Sequence, residues 1–471
     1  MNSIAGAASG ATAKPWPAPA GSRLAATLLL AAAASLASPA ARAQEEAVQE
    51  AAPVEKAPSN FHLSGFATLG ATYSDNRDVG VITAYSDAHP SLHGLSADLD
   101  SVLGLQAVWR PIGGTSITAQ GVARPDGDGM RVNLRMAYVR QELGRNVAVR
   151  LGRIRSPLYF DSDVAEVGYA YLTARPPIPL YSIVNSVGAL DGGDVQLRHA
   201  WGDTAVLVQG YYGDSRYDHQ FYNQGTAARA RLTGVHGASV SLILPWVTLR
   251  ASRTWVHRYT MWGANIDQLN AGLGQLAGGL TLAASNPFLP AQVAAALKGK
   301  AQGITALANP FDNRPIYTSI GFDASYRALR LLGEWTQLDS QSAMIGKYEG
   351  WQGTIGYSIG TVTPYMTYAR NHRTDGPLDT SALGPTGLDP ALDAGLGQMQ
   401  GAFTLARTYA DLSMRSLSLG ARWDLRANMA LKVQYDRLTT PATSVPGMFA
   451  VARLPIDRSA NLATLALNLV F

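Results

Sequence analysis

The sequence contains no cysteine, which excludes a disulfide framework and thiolate metal sites and is compatible with an oxidising compartment. Charge is scarce as well: only 15% of the 471 residues are Asp, Glu, Lys or Arg, against about 25% in an ordinary soluble domain, while 47% are hydrophobic. That is too little charge for a typical soluble surface. Beyond residue 45 there is no unbroken run of about 18 apolar residues, so helical membrane spans are excluded from the mature chain. Lysine is rare, and arginine supplies 32 of the 38 basic residues, a choice suited to permanent, planar, closely spaced positive charge. Histidines are few and scattered, with no H-E-x-x-H, and no dinucleotide or phosphate-loop signature stands, so no metal and no cofactor is expected. Gly356-Tyr357-Ser358-Ile359-Gly360 matches G-x-S-x-G, but that motif works as a strand-to-helix elbow and here falls at a strand-to-strand turn. No catalytic constellation emerges, and the chain is not read as an enzyme.

What the N-terminal stretch does contain is a processing signal. Lys14 and Arg23 form a basic region, residues 24–36 an apolar one rich in Leu and Ala, and Ala41-Arg42-Ala43 an A-x-A cleavage site. The apolar region, followed by Pro39, is too short to span hydrocarbon, so residues 1–43 are expected to be a signal peptide removed after Ala43. Its removal lowers the formal charge from +4 to +1, and the sequence pI of about 9.1 therefore implies no nucleic-acid partner. Residues 44–59, acidic and rich in Ala, Pro and Glu, read as a flexible leader.

From residue 60 to the end, apolar and polar positions alternate with a period of two. Phe61, Leu63, Gly65, Ala67, Leu69, Ala71 and Tyr73 share one face, and His62, Ser64, Thr68 and Thr72 the other. Met130, Val132, Leu134, Met136 and Tyr138 oppose Arg131, Asn133 and Arg135, while Leu417, Leu419, Ala421, Trp423 and Leu425 oppose Ser416, Ser418, Arg422 and Asp424. In the last segment Ala463, Leu465, Leu467, Leu469 and Phe471 oppose Thr464, Ala466 and Asn468. About sixteen such segments occur, at 61–74, 98–110, 114–124, 129–142, 146–155, 190–200, 204–213, 229–243, 246–258, 316–327, 329–340, 347–359, 362–372, 408–425, 428–440 and 459–471. Most are close to the 9 to 11 residues of a tilted membrane strand, or somewhat longer.

Connections alternate in length. Tight turns follow the even segments, and long connections at 75–97, 156–189, 259–315, 373–407 and 441–458 follow odd ones. Five such loops are improbable in a soluble domain, whereas short periplasmic turns and long external loops suit a barrel in an outer membrane. Trp109, Trp201, Trp246 and Trp423 lie near the tight turns, where they would form the inner aromatic girdle. Because backbone groups in a bilayer have no water to pair with, the sheet must close, with the C-terminal strand against residues 61–73. The expectation is an all-β fold: a closed antiparallel transmembrane β-barrel of about 16 strands.

With these residues in hand the chain resembles the general bacterial porin family, and more specifically proteobacterial porin-like proteins with a Leu-Gly-Arg strand ending. Leu151-Gly152-Arg153-Ile154-Arg155-Ser156-Pro157 is similar to the strand end leading into that family's third loop, and residues 188–198 to the strand that receives it. Asp424-Leu425-Arg426-Ala427-Asn428-Met429-Ala430-Leu431-Lys432 resembles the penultimate hairpin, and Phe471 the terminal signal read by the barrel-assembly machinery. The resemblance implies a homotrimer in outer-membrane lipid, with the third loop, 156–189, folded into each barrel. The long loop at 259–315 departs from the family's compact fifth loop.

Parity directs Arg131 and Arg135 to the lumen on the fourth strand, Arg150 on the fifth and Arg198 on the sixth, opposite Asp161, Asp163 and Glu166 on the third loop. Opposed charges across a narrow water path would set up a transverse field that orients dipolar solutes and selects ions. Arg153 and Arg155 have the opposite parity on a straight strand and are expected to anchor the loop. Residues 266–282 and 291–307 read as short helices in the loop 259–315, as a cap over the pore or a packing insert. The function expected is passive diffusion of small polar solutes and ions; a substrate-specific channel for an anion, aromatic acid or sugar, or an occluded structural or adhesive barrel, remain alternatives.

Overall fold

A computed structural model describes residues 60–86, 90, 93–126, 129–221, 226–441, 449–451 and 458–471. The expected signal peptide and acidic leader lie outside them. In chain order the strands are β1 (Phe61–Ser74), β2 (Val79–Val81), β3 (Gly94–Ser96), β4 (Val102–Trp109), β5 (Thr115–Asp126), β6 (Gly129–Glu142) and β7 (Val147–Arg155). After helix α1 (Ile178–Asn185) come β8 (Ala189–Trp201), β9 (Thr204–Phe221), β10 (Thr226–Ile243) and β11 (Val247–Trp262). Helices α2 (Ala264–Ala284) and α3 (Ala291–Ala306) precede β12 (Ile316–Tyr326), β13 (Leu329–Asp339), β14 (Lys347–Tyr357) and β15 (Val362–Arg373). Helix α4 (Pro390–Tyr409) leads to β16 (Met414–Arg426), β17 (Met429–Thr439), β18 (Phe449–Val451) and β19 (Ser459–Val470).

All but β2 and β18, which pair with each other, belong to one antiparallel sheet. It closes on itself: β1 pairs β4 on one side and β19 on the other, with Thr68 opposite Asn468. Since β3 and β4 both pair β1, they are two pieces of one wall strand, and the sheet is a barrel of sixteen. The seam continues past β19, where the Phe471 N–H donates to the Gly65 carbonyl at 2.9 Å. Among the described residues the wall sheet has no free edge to aggregate or to meet lipid unpaired.

The outward faces carry the apolar rows, as alternation requires in a wall wet on one side only. Trp109, Trp201, Trp246 and Trp423 are about half exposed beside the tight turns, and Trp255, Trp351 and Tyr435 form a second exposed ring near the long loops. From Trp246 to Trp255, about 3.3 Å per residue at a tilt near 40° gives a rise of about 23 Å, close to the ~25 Å apolar band of such barrels. A closed antiparallel barrel with an apolar band between two aromatic girdles is a protein of the Gram-negative outer membrane.

Three local features depart from the sequence reading. A bulge in β6 makes Gln120 pair Met136 and Gly121 pair Leu134, so Arg135 is an extra residue and the parity of the strand flips. Met130, Val132 and Leu134 face outward as expected, but Met136 and Tyr138 point inward, where Met136 is buried and Tyr138 lies under the Arg150 guanidinium. Strands β9, β10 and β11 run past the predicted ends, to Phe221, from Thr226 and to Trp262. The segment expected as strand from residue 408 begins at Met414, because α4 occupies the preceding residues; Asp389 caps it by accepting from the Leu392 N–H, with Pro390 in its first turn. α2, α3 and α4 bury Leu273, Leu280, Leu297, Ile304, Leu396 and Phe403 in a core of their own outside the barrel wall.

Candidate functional site

The connection after β7 turns inward. Its side chains and backbone bond to strands around most of the wall, so its position is fixed from both sides of the lumen. On the near side Arg124 from β5, Arg135 from β6 and Arg155, the last residue of β7, converge on Glu166. Arg135 reaches the carboxylate at 3.0 Å and Arg155 at 3.5 Å, while Arg155 Nε also donates to the Ser162 carbonyl at 2.8 Å. Burial opposes ionisation of Glu166, but Arg124, Arg135 and Arg155 outweigh it and hold the carboxyl well below the usual carboxylate range. The bulge matters here: the unpaired Arg135 leaves the ladder at the height of the loop.

On the far side, Arg250 from β11 donates to Asp163 at 2.8 Å and to the Phe160 carbonyl at 3.1 Å, and the Ser252 hydroxyl donates to the Leu158 carbonyl. Glu334 on β13 accepts from the Phe160 N–H at 3.0 Å and from the Tyr181 hydroxyl of α1. Asp161 stands next to these groups, and enclosure, together with the charges of Glu334 and Asp323, pushes its carboxyl up to about 7. Further along, Arg175 is buried against Asp100, Asp436, Thr72 and Thr464, with its Nε 2.7 Å from Asp100. Lys432, fully buried on β17, donates to the carbonyls of Gly168, Tyr171 and Thr173 at 2.6, 2.6 and 2.9 Å. A buried charge is tolerated only when paired or fully bonded; Arg175, on the loop, meets that condition at the wall, and Lys432, on the wall, meets it by gripping the loop.

Of the predicted residues, Arg135 and Glu166 meet directly. Arg131 lies on the same wall but donates to the Ser86 carbonyl at 2.7 Å, with Asp126 at 3.8 Å. Arg150 makes a forked bond to Asp194 on β8, at 2.9 and 3.1 Å, rather than to a loop carboxylate. Asp163 faces Arg250 instead of the arginine row. Arg198 is exposed, three residues before the periplasmic end of β8, and is not brought to the cluster. The expectation for Arg155 is met in that it anchors the loop, but as the last residue of its strand it also joins the carboxylate cluster. Arg153 points outward to Asp191 at 2.7 Å. Arg124, Arg175 and Lys432 were not singled out by the sequence. Arg124 shares the inward parity of Thr118 and Gln120, and Lys432 is one of only six lysines and also inward by parity, so both left a signal; Arg175, in an irregular segment, left none.

The G-x-S-x-G match is part of the hairpin between β14 and β15. Ser358 Oγ lies 3.0 Å from Thr363 Oγ1, and Ile359 and Val362 exchange backbone bonds across the turn. No helix follows, so this is not a nucleophile elbow.

No family model and no curated protein matches the sequence. Solved structures similar to it include an anion-selective porin from Comamonas acidovorans, at 12% identity and TM-score 0.48 over 87% of this chain and 99% of that one. The outer-membrane channel DcaP of Acinetobacter baumannii, at 12% identity and TM-score 0.46, covers 87% of this chain and is itself covered over 97%. OmpF of Salmonella typhi, in complex with daunomycin, gives 10% identity and TM-score 0.48 over 87% and 97%. Likeness at this level carries nothing about solute or subunits.

Proposed function

We propose that the chain is a porin-type channel through which small polar solutes and ions cross the outer membrane passively, with an arginine-lined constriction beside the loop 156–189. The observation that supports it is the convergence of Arg124, Arg135 and Arg155 on Glu166, inside a closed barrel and flanked by Arg131 and Arg150. Three guanidinium groups against one carboxylate leave a local excess of positive charge, which attracts anions and the negative ends of dipolar solutes. Homotrimer assembly, removal of residues 1–43 and a terminal Phe471 that guides barrel assembly belong to the same reading.

A second reading is an occluded barrel. It is favoured by the breadth of the loop's attachment, from Glu166 on the β5–β7 side to Arg175 and Lys432 on the β17 side. Swelling of liposomes carrying the purified protein separates the two. Entry of a small sugar at a rate that falls with solute size supports the channel; liposomes holding folded barrel that do not swell support occlusion.

A further inference from the structure

Most of the paired charges on the outer wall near the long loops follow a simple rule: Arg153 faces Asp191, Arg231 faces Asp214, Arg258 faces Asp312 and Lys347 faces Asp339. Three neighbouring strands break it. Arg370 on β15, Arg415 on β16 and Arg437 on β17 are all exposed on the outward face. Arg370 stands directly opposite Arg415, and Arg437 is opposite Leu417, one outward position from Arg415. None of the three forms an ion pair among the described residues. Of the acidic residues nearby, Glu349 on β14 opposes His372, one outward position from Trp351, which stands opposite Arg370, and Asp75, after β1, is held by Asn461 at 2.6 Å.

Like charges directly across a strand pair destabilise a sheet unless something compensates them. The height of this cluster says what does. On each strand the residue two positions toward the membrane is a lipid-facing one, namely Tyr368, Leu417 and Tyr435, and Tyr368 packs on Trp351 with ring centroids 5.2 Å apart. Arg415 and Arg437 thus sit one step above the lipid-facing Leu417 and Tyr435, and Arg370 stands opposite Trp351 of the upper aromatic girdle, which puts the three guanidinium groups at the level of the lipid headgroups of the outer leaflet. Arginine presents a fork that matches phosphate oxygens and is weakly hydrated, which suits a partly desolvated interface.

We propose that Arg370, Arg415 and Arg437 form a binding site for the phosphate groups of an anionic lipid of the outer leaflet. The lipid supplies the ion partner that none of the three has among the described residues, and its acyl chains lie along Trp351, Tyr368, Leu417 and Tyr435. The site is independent of whether the lumen conducts.

The test titrates the full chain in detergent, at fixed salt, with diphosphorylated lipid A, its dephosphorylated form and inorganic phosphate. The expected result is preferential retention of the diphosphorylated lipid. The Arg370→Gln, Arg415→Gln, Arg437→Gln triple variant should weaken it by roughly ten- to a hundredfold, and the triple lysine variant, which keeps the charge but not the fork, should fall between. The lysine variant also serves if the glutamine variant fails to fold. Equal binding of the two lipid forms, a variant that binds like the wild type, or inorganic phosphate binding as tightly as the lipid would each overturn the assignment. So would loss of the native oligomer in the glutamine variant with lipid binding unchanged, since the patch would then be covered by another copy of the chain.

Discussion

Replacing Glu166 by Gln removes one negative charge from the point where Arg124, Arg135 and Arg155 meet, while keeping the shape of the side chain. An ion passing at about 6 Å from that charge, in a water-like dielectric, feels a change of about 0.7 kcal/mol. That is about a threefold effect on partitioning for each sign of ion, in opposite directions, and so about a tenfold shift of the anion-to-cation ratio. At 0.1 M salt the screening length of about 10 Å leaves about half of this energy, so the shift in the ratio is then about fourfold. The variant also leaves three cations without their carboxylate. Breaking a buried pair costs about 3–5 kcal/mol, and the lower end applies here because water reaches Arg124 and Arg135. The assay is the reversal potential across a salt gradient, with heat-modifiable electrophoretic mobility to show that the variant is folded. A folded variant with unchanged selectivity would refute the constriction.

Other consequences are equally specific. Because Asp161 is pushed up to about 7 by enclosure and then by Glu334 and Asp323, cation preference should rise between pH 6 and 8 with a midpoint near 7; Asp161→Asn should abolish the step, and a step that persists would assign it elsewhere. Glu166 behaves oppositely: with its value in the folded protein held down, its hold on the loop is complete above about pH 4.3 and is lost only as pH falls through the lowered value, which protease protection of the loop against pH would report. Arg175→Met leaves Asp100 and Asp436 buried without their cation and should cost about 3–5 kcal/mol, seen as proteolysis within residues 156–189 while the barrel stays intact; full protection would count against the tether. Since the chain has no cysteine, Tyr138→Cys and Val139→Cys test the bulge cleanly: a water-soluble thiol reagent should label position 138 from the lumen and spare position 139 in lipid, and the reverse pattern would restore straight-strand parity.

Most of the wall was legible because a membrane barrel enforces one rule everywhere: lipid on one face, water or loop on the other, and a tight turn on the periplasmic side. The segments at 61–74 and 129–142 coincide with β1 and β6. The site was less legible because it depends on exceptions. A bulge at Arg135 adds a residue without changing composition, and it turned Met136 and Tyr138 inward against the pattern. Arg155 escaped parity as the last residue of β7, where the chain leaves the sheet. Helix α4 was missed although Asp389 and Pro390 mark its start, since Gly395, Gly397 and Gly401 dilute its apolar stripe. Arg150 was correctly directed inward, but its partner, Asp194 on the next strand, could be found only from the register.

The most direct measurement is single-channel recording in a planar bilayer with the protein lacking residues 1–43. Stepwise openings, with an ion preference that shifts when Arg124, Arg135 and Arg155 are replaced, are the predicted result. A folded, inserted barrel that stays electrically silent would contradict the channel and leave the loop as a plug.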